Sequence, residues 1–218
     1  MEIDLSNKGL EGVFDIEQYC KDYNIDVEKV TNFYCYNNKL TELDVSNLVN
    51  LENLYCSDNK LTELDVSKLV NLKRLYCHNN QLTKLDTSKL VNLASLSCHS
   101  NKLTKLDTSK LVNLKLLYCN LNQLTELKGL ENLFNLKQLD CRNNKLTELD
   151  TSNLINLEWL NGEEYIQPMQ DKLDLLTNRV EKLEQDIAEI KTKIRQLIKY
   201  CKNSLKNSRN KNQNQTTN

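Results

Sequence analysis

Leucine returns at fixed intervals along most of this chain. In residues 32–162 the interval is 21, and Cys35, Cys56, Cys77, Cys98 and Cys119 fall on it, with Cys141 following after one inserted residue. Asn38, Asn59, Asn80, Asn101, Asn122 and Asn144 keep step, as do Leu40, Leu61, Leu82, Leu103, Leu124 and Leu146. A third set, Leu43, Leu64, Leu85, Leu106, Leu127 and Leu149, does the same. The unit reads L-x-x-L-x-C-x-x-N-x-L-x-x-L-[DK]-x-[SL]-x-L-x-N, and one 22-residue copy has LTELKGLENLFNL where its neighbour has LTKLDTSKLVNL. A period of this size signals a stacked repeat architecture.

Within a unit the two halves follow different rules. Leu54 and Cys56 alternate with Tyr55 and Ser57, which predicts a short strand with its apolar side chains on one face. Leu64, Leu69 and Leu72 are spaced more widely, as in a helical or 3₁₀ turn, begun by Asp65 or Ser67 as a cap. One strand and one turned segment make one coil, and no coil can bury its leucines alone. Coils must therefore stack, with a parallel sheet along one side.

The motif L-x-x-L-x-C-x-x-N-x-L resembles the leucine-rich repeat signature, with cysteine where leucine is usual, over residues 32 to about 162. The short period and the phrase LTELKGLENLFNLKQLD are similar to a subclass of bacterial surface proteins, phosphatase regulators and large DNA viruses. Copies rich in asparagine and lysine with a cysteine spine look most like cytosolic examples from such viruses and from AT-rich bacteria. The resemblance implies an α/β solenoid: a leucine-rich repeat superhelix with a parallel concave β-sheet and short 3₁₀ or turn segments on the convex side. It also implies a structural role for the asparagine column. Physics gives the same role, because where the strand bends its backbone groups lose ladder partners, and a buried amide can both donate and accept.

The repeats, about six to seven coils over residues 32–165, need covers at both ends. Residues 1–31 are expected to form an N-terminal cap: IDLSNKGL is a degenerate strand half, and Phe14, Ile16, Tyr19, Cys20 and Tyr23 follow at helical spacing. At the other end Gly162 and Tyr165 stand where cysteine and asparagine are due, so the repeat stops there.

Residues 166–204 carry a different pattern. After Pro168, well placed early in a helix, Leu173, Leu176, Val180, Leu183, Ile187, Ile190, Ile194 and Leu197 recur in alternating steps of three and four, a coiled-coil seam. In a parallel homo-oligomer, dimer or trimer, Arg179 would meet Glu184 and Asp186 would meet Lys191, both attractive. Packing of this helix on the convex side of its own solenoid, or against a different chain, is the alternative. Residues 205–218 are polar and of low complexity, and are expected to be a disordered tail.

Charge and cysteine content narrow the setting. The whole chain carries 29 basic and 30 acidic residues, but residues 1–165 hold 18 basic against 24 acidic, which disfavours nucleic acid. No signal peptide or membrane span is evident, so a cytoplasmic protein with its eight cysteines reduced is expected, and the formal glycosylation sequon at Asn214 carries little weight.

The sites that look most like chemistry dissolve on the repeat geometry. Cys77 and His78, like Cys98 and His99, are successive strand residues whose side chains leave opposite faces, so they cannot grip one ion. His78 and His99 alone fall short of the three or four protein ligands zinc takes, and no metal or cofactor is expected. A disulfide ladder is disfavoured because side chains in one column run parallel, leaving the cysteines as core filling. Ser97 and His99 share a strand face, but no orienting acid is evident, and an enzyme is not expected. What varies is the outward face. One column reads Tyr34, Tyr55, Tyr76, Ser97, Tyr118, Asp140; the next Tyr36, Ser57, His78, His99, Asn120, Arg142; a third Asn53, Arg74, Ser95, Leu116, Gln138, Trp159. Exposed tyrosine, histidine, arginine and tryptophan favour a protein or peptide partner, with Tyr34, Tyr36, Tyr55, Arg74, Tyr76, His78, His99, Tyr118, Arg142 and Trp159 as contacts. A structural or assembly role without a selective ligand competes, with tyrosines stacking to stiffen the sheet. Single-stranded nucleic acid and enzymatic activity rank well behind.

Overall fold

The computed structural model describes residues 1–164 and 169–215, with side chains described for residues 1–163 and 173–200. The strands are β1 (Glu2–Asp4), β2 (Glu11–Asp15), β3 (Asn32–Tyr34), β4 (Lys39–Asp44), β5 (Asn53–Tyr55), β6 (Arg74–Tyr76) and β7 (Ser95–Ser97), then β8 (Lys105–Asp107), β9 (Leu116–Tyr118), β10 (Glu126–Lys128), β11 (Gln138–Asp140), β12 (Trp159–Leu160) and β13 (Glu163–Glu164). Helix α1 spans Ile16–Asp22 and α2 spans Met169–Gln215. Met1–Gln167 and Pro168–Asn218 form separate compact units.

The first unit is a parallel-sheet solenoid. Its nine-stranded sheet runs β1-β3-β5-β6-β7-β9-β11-β12-β13, parallel except for β13, and pairs Leu54 with Leu75 and Leu75 with Leu96 without a slip. The register follows from the period: a 21-residue step returns every inward leucine to the same place. Leu54, Cys56, Leu61, Leu69 and Leu72 are all fully buried, and their equivalents repeat along the core. At the N-terminal end β1 pairs with β3, while α1 buries Ile16 and Cys20 after a cap in which the Asp15 carboxylate accepts from Gln18 N.

The asparagine column does what the backbone requires. Asn80 Oδ1 accepts from Leu61 N at 2.9 Å, and its Nδ2 donates to Cys56 O, Cys77 O and His78 O at 3.0, 3.1 and 3.2 Å. Asn59, Asn101 and Asn122 repeat the pattern. A second asparagine column ties the turned segments together. Asn71, Asn92 and Asn113 each donate from Nδ2 to the carbonyl of Val49, Val70 and Val91 on the preceding coil. Of the two candidate caps for the turned segment, the aspartate acts: Asp65 Oδ1 accepts from Ser67 N at 2.9 Å, and Asp86 and Asp107 repeat it.

Each bend also takes a left-handed residue just before the asparagine column. Asp58, Asn79, Ser100, Leu121 and Asn143 have φ between 52° and 55°. The 22-residue copy turns on Gly129 at φ +83°, where a Cβ would stand 2.3 Å from Ser109 N. There β8 and β10 pair on the turned side, and Thr108 donates from both N and Oγ1 to Lys128 O.

Helix α2 is 47 residues long. It continues to Gln215, through positions 205–215 that composition alone reads as a disordered tail. No proline or glycine interrupts those positions, and extending a nucleated helix costs far less than starting one. Positions 165–168 and 216–218 lie outside the described residues, and with them Tyr165, Pro168 and the limits drawn at 165 and 166.

Candidate functional site on the sheet face

Opposite the leucine core, the sheet presents three rows of side chains at strand spacing. Strand pairing sets Tyr34 beside Tyr55, Tyr55 beside Tyr76, and Ser97 between Tyr76 and Tyr118. The Tyr34 and Tyr55 rings stack with centroids 4.8 Å apart, and Tyr55 meets Tyr76 edge-on at 4.7 Å. Partial burial raises the phenol pKa of Tyr34, Tyr55 and Tyr118 above the ordinary value, and Tyr118 OH donates to Gln138 Oε1. These hydroxyls stay protonated donors at neutral pH.

The histidines are close but not convergent. His78 and His99 stack with centroids 4.4 Å apart and planes 20° from parallel, so their lone pairs lie in separate planes and do not aim at one point. His78 Nδ1 lies 3.2 Å from Ser97 Oγ, and His99 Nδ1 the same distance from Ser100 Oγ. Burial lowers the pKa of both; the His99 neighbour adds to this for His78, while Asp58 opposes it. Among the described residues no group of three or more histidine, cysteine or acidic side chains is arranged to hold a metal.

Alternation along the strand places Ser97 on the same face as His99, with no acid evident beside them. Ser97 instead reaches His78, whose Nε2 is 3.7 Å from Asp58 Oδ2. The two contacts use opposite nitrogens of the His78 ring, yet the carboxylate is beyond hydrogen-bond range and Ser97 is only 5% exposed. A nucleophile must meet a carbonyl, and this one is closed off beneath its neighbours. The left-handed backbone at Asp58, whose carboxylate approaches His78 and accepts from Asn79 Nδ2, is a feature the sequence does not reveal.

The remaining candidates sit at the margins. Arg74 Nη1 donates to Asn53 Oδ1 at 3.1 Å, and Tyr36 is half-buried near the strand end. Arg142 grips Asp140 through Nε and Nη2 at 3.0 and 2.6 Å. Burial pushes the Asp140 carboxyl up, but Arg142 outweighs it and holds it below the usual range, leaving a neutralised pair. Trp159 is 46% exposed on β12, apart from the tyrosines. Behind the sheet the cysteine column is free of disulfides, and burial pushes the Cys35 thiol up to about 12.

This geometry, repeated coil by coil, defines a leucine-rich repeat protein. A family model described as leucine-rich repeats matches residues 49–90 and 70–111. The functional domain of InlJ from Listeria monocytogenes, described as including a cysteine ladder, is 39% identical over 68% of this chain and 34% of that one, with a TM-score of 0.61. Internalin C2 from the same organism is 24% identical over 80% of this chain and 76% of that one, with a TM-score of 0.60, and attests the fold. A leucine-rich repeat protein of Leptospira interrogans is likewise 24% identical, over 68% of this chain and 47% of that one, with a TM-score of 0.52. The chain thus spans about a third of the InlJ structure and under half of the Leptospira one. Among curated proteins none matches. Leucine-rich repeat proteins are typically protein-interaction modules.

Proposed function

We propose that this chain is a non-enzymatic binding module that takes a protein or peptide on the sheet face and self-associates through α2. One observation carries the first part: tyrosines, stacked histidines, Arg74 and Trp159 stand in fixed rows on a rigid sheet. Rigid aromatic side chains bury large area on binding while losing little side-chain entropy. A second reading, assembly without a selective ligand, draws on the stacking of Tyr34 on Tyr55, which partly satisfies those rings within the chain. Affinity capture separates the two. Replacing Tyr55, Tyr76 and Tyr118 with alanine should abolish a specific set of captured proteins, whereas replacing Val70 and Val91 in the turned segments should not. Equal recovery from the tyrosine variant would sink the first reading.

Self-association rests on the α2 stripe, in which Leu173 to Leu197 are 47–63% exposed. A two-in-seven apolar seam suits a second helix better than a globular face. The full chain should weigh a dimer or trimer by light scattering, and Leu183→Asp with Ile190→Asp should weigh a monomer. A monomeric wild type refutes this.

The setting proposed is a reducing compartment such as the cytoplasm, where the free thiols of the column persist. Among the described residues no helix is long and apolar enough to cross a membrane.

A further inference from the structure

One coil breaks the pattern of large outward residues. Where β6 carries Arg74 and Tyr76 and β9 carries Leu116 and Tyr118, the coil between them presents Ala94, Ser95 and Ser97. Neighbouring strands are about 4.8 Å apart, so β6 and β9 stand about 10 Å apart, with a low strand between two high ones. At the Ala94 and Ser95 end this leaves a cavity of about 690 Å³, lined also by Lys73, Arg74, Lys115 and Lys137.

Two features of that cavity point to an anion. Four cationic side chains line it against one acid, Glu52, on a body that is otherwise acidic. Lys73 is paired to Glu52 at 2.8 Å and Lys137 to Glu158 at 2.7 Å, but among the described residues Lys115 has no ion-pair partner, because Ala94 occupies the neighbouring place in its row. Independently, Ser95 is 7% exposed and its hydroxyl has no hydrogen-bond partner among the described residues. A buried hydroxyl without a partner is a donor waiting for an oxygen.

We propose that the notch over β7 is a carboxylate-binding subsite that takes an acidic side chain from an extended peptide. The proposal deepens the protein-binding reading and rests on it. A peptide is favoured over a polyanion because residues 1–165 carry 18 basic against 24 acidic side chains, and the flanks of the notch, Leu116 with Tyr76 and Tyr118 in the adjoining row, suit apolar neighbours of the acid. The Lys115 ammonium supplies the charge-assisted contact and the Ser95 hydroxyl the neutral one.

Fluorescence anisotropy on the full chain tests it, with labelled acetyl-Tyr-Glu-Tyr-Glu-Tyr amide as probe and its glutamine counterpart as control. The acidic peptide should bind at least tenfold tighter than the control. Lys115→Glu and Ser95→Tyr should each weaken it at least fivefold, with an unchanged circular dichroism spectrum. Lys115 is exposed, so its variant decides the matter should Ser95→Tyr fold poorly. Equal binding of the glutamine peptide, no binding of either at millimolar protein, or displacement by inorganic phosphate or oligo-uridine at the peptide's own concentration overturns the proposal. Partners lost from the tyrosine variant but kept by Lys115→Glu would leave the protein-binding reading standing and remove the notch.

Discussion

Replacing Asn80 by alanine removes one amide and should cost the fold about 3 kcal/mol. The largest share comes from Leu61 N, a buried donor whose partner is Asn80 Oδ1. Leaving it unsatisfied costs about 1–3 kcal/mol. The carbonyls that lose Nδ2 suffer less, because each keeps another donor: Cys56 O keeps Asn59, Cys77 O keeps Asn101, and His78 O keeps Asp58 N. Together they add about 1 kcal/mol. Urea unfolding followed by circular dichroism and by the fluorescence of Trp159 would read the loss, with the m value unchanged if the unfolding unit is the same. Asn144 supplies an internal comparison, since it holds Leu124 N in the same way but is only half-buried, and its alanine variant should lose about half as much. Asn80→Asp gives a sharper test. It keeps the acceptor for Leu61 N but points a carboxylate oxygen at three carbonyls, so at pH 7 it should be at least as unstable as the alanine variant. Burial and those carbonyls raise the new carboxyl's folded pKa, so its stability should recover as pH falls through that value, against the trend of the parent protein. A loss under about 0.5 kcal/mol for Asn80→Ala, or an aspartate variant milder than alanine at pH 7, would refute the accounting.

Three other perturbations follow from the backbone and the charges. Leu121 is a branched residue at φ 54° and 49% exposed, where sibling coils use asparagine, aspartate or serine, so Leu121→Asn should raise stability by about 1 kcal/mol in thermal melts; no gain counts against the strain. Gly129→Ala should cost about 2 kcal/mol or more because of the Ser109 backbone, while Gly9→Ala, with nothing within 4 Å, should cost only about 1; equal losses by urea unfolding would discount the clash. Acid should act in two stages. His78 and His99 have folded pKa values below the unfolded one, so the unfolded chain binds more protons and stability falls as pH drops through about 6.5; replacing both with asparagine should abolish that stage. Asp65, Asp86 and Asp107 are held low by hydrogen bonds from the serines two residues on, so their contribution is present above about pH 4 and lost below it; urea midpoints against pH would show both.

The repeat was legible because its signal is redundant. A leucine at position 54 is ambiguous alone, but leucines at 75 and 96 in the same phase fix strand, face and register together. The role of Asn80 was readable for the same reason, since a buried amide at a bend has few other uses. The left-handed column was not readable, because asparagine, aspartate, serine and leucine all occupy it and no single residue type announces it. That omission hid the approach of Asp58 to His78. The contacts of Asn71 and its equivalents escaped as well, although their spacing was visible, because an exposed asparagine shows no partner until the next coil is laid beside it. Candidate contacts on the outward face could be named by alternation, but the low strand at β7 emerges only when its neighbours' heights are compared.

The bonds that tie the coils have a fixed reach. Leu61 N finds an amide 19 residues ahead, Asn80 returns to a carbonyl 24 residues behind, and Asn71 to one 22 behind. None refers to where in the array it stands. Excising residues 75–95 would set Leu96 after Arg74 and present every severed group with an equivalent partner, leaving a shorter solenoid with its joints intact. Deleting or duplicating whole coils would thus change the length of the sheet face without redesigning a joint. Gly129 and Ser109 mark a joint where the coils are not interchangeable, and length variants should respect it.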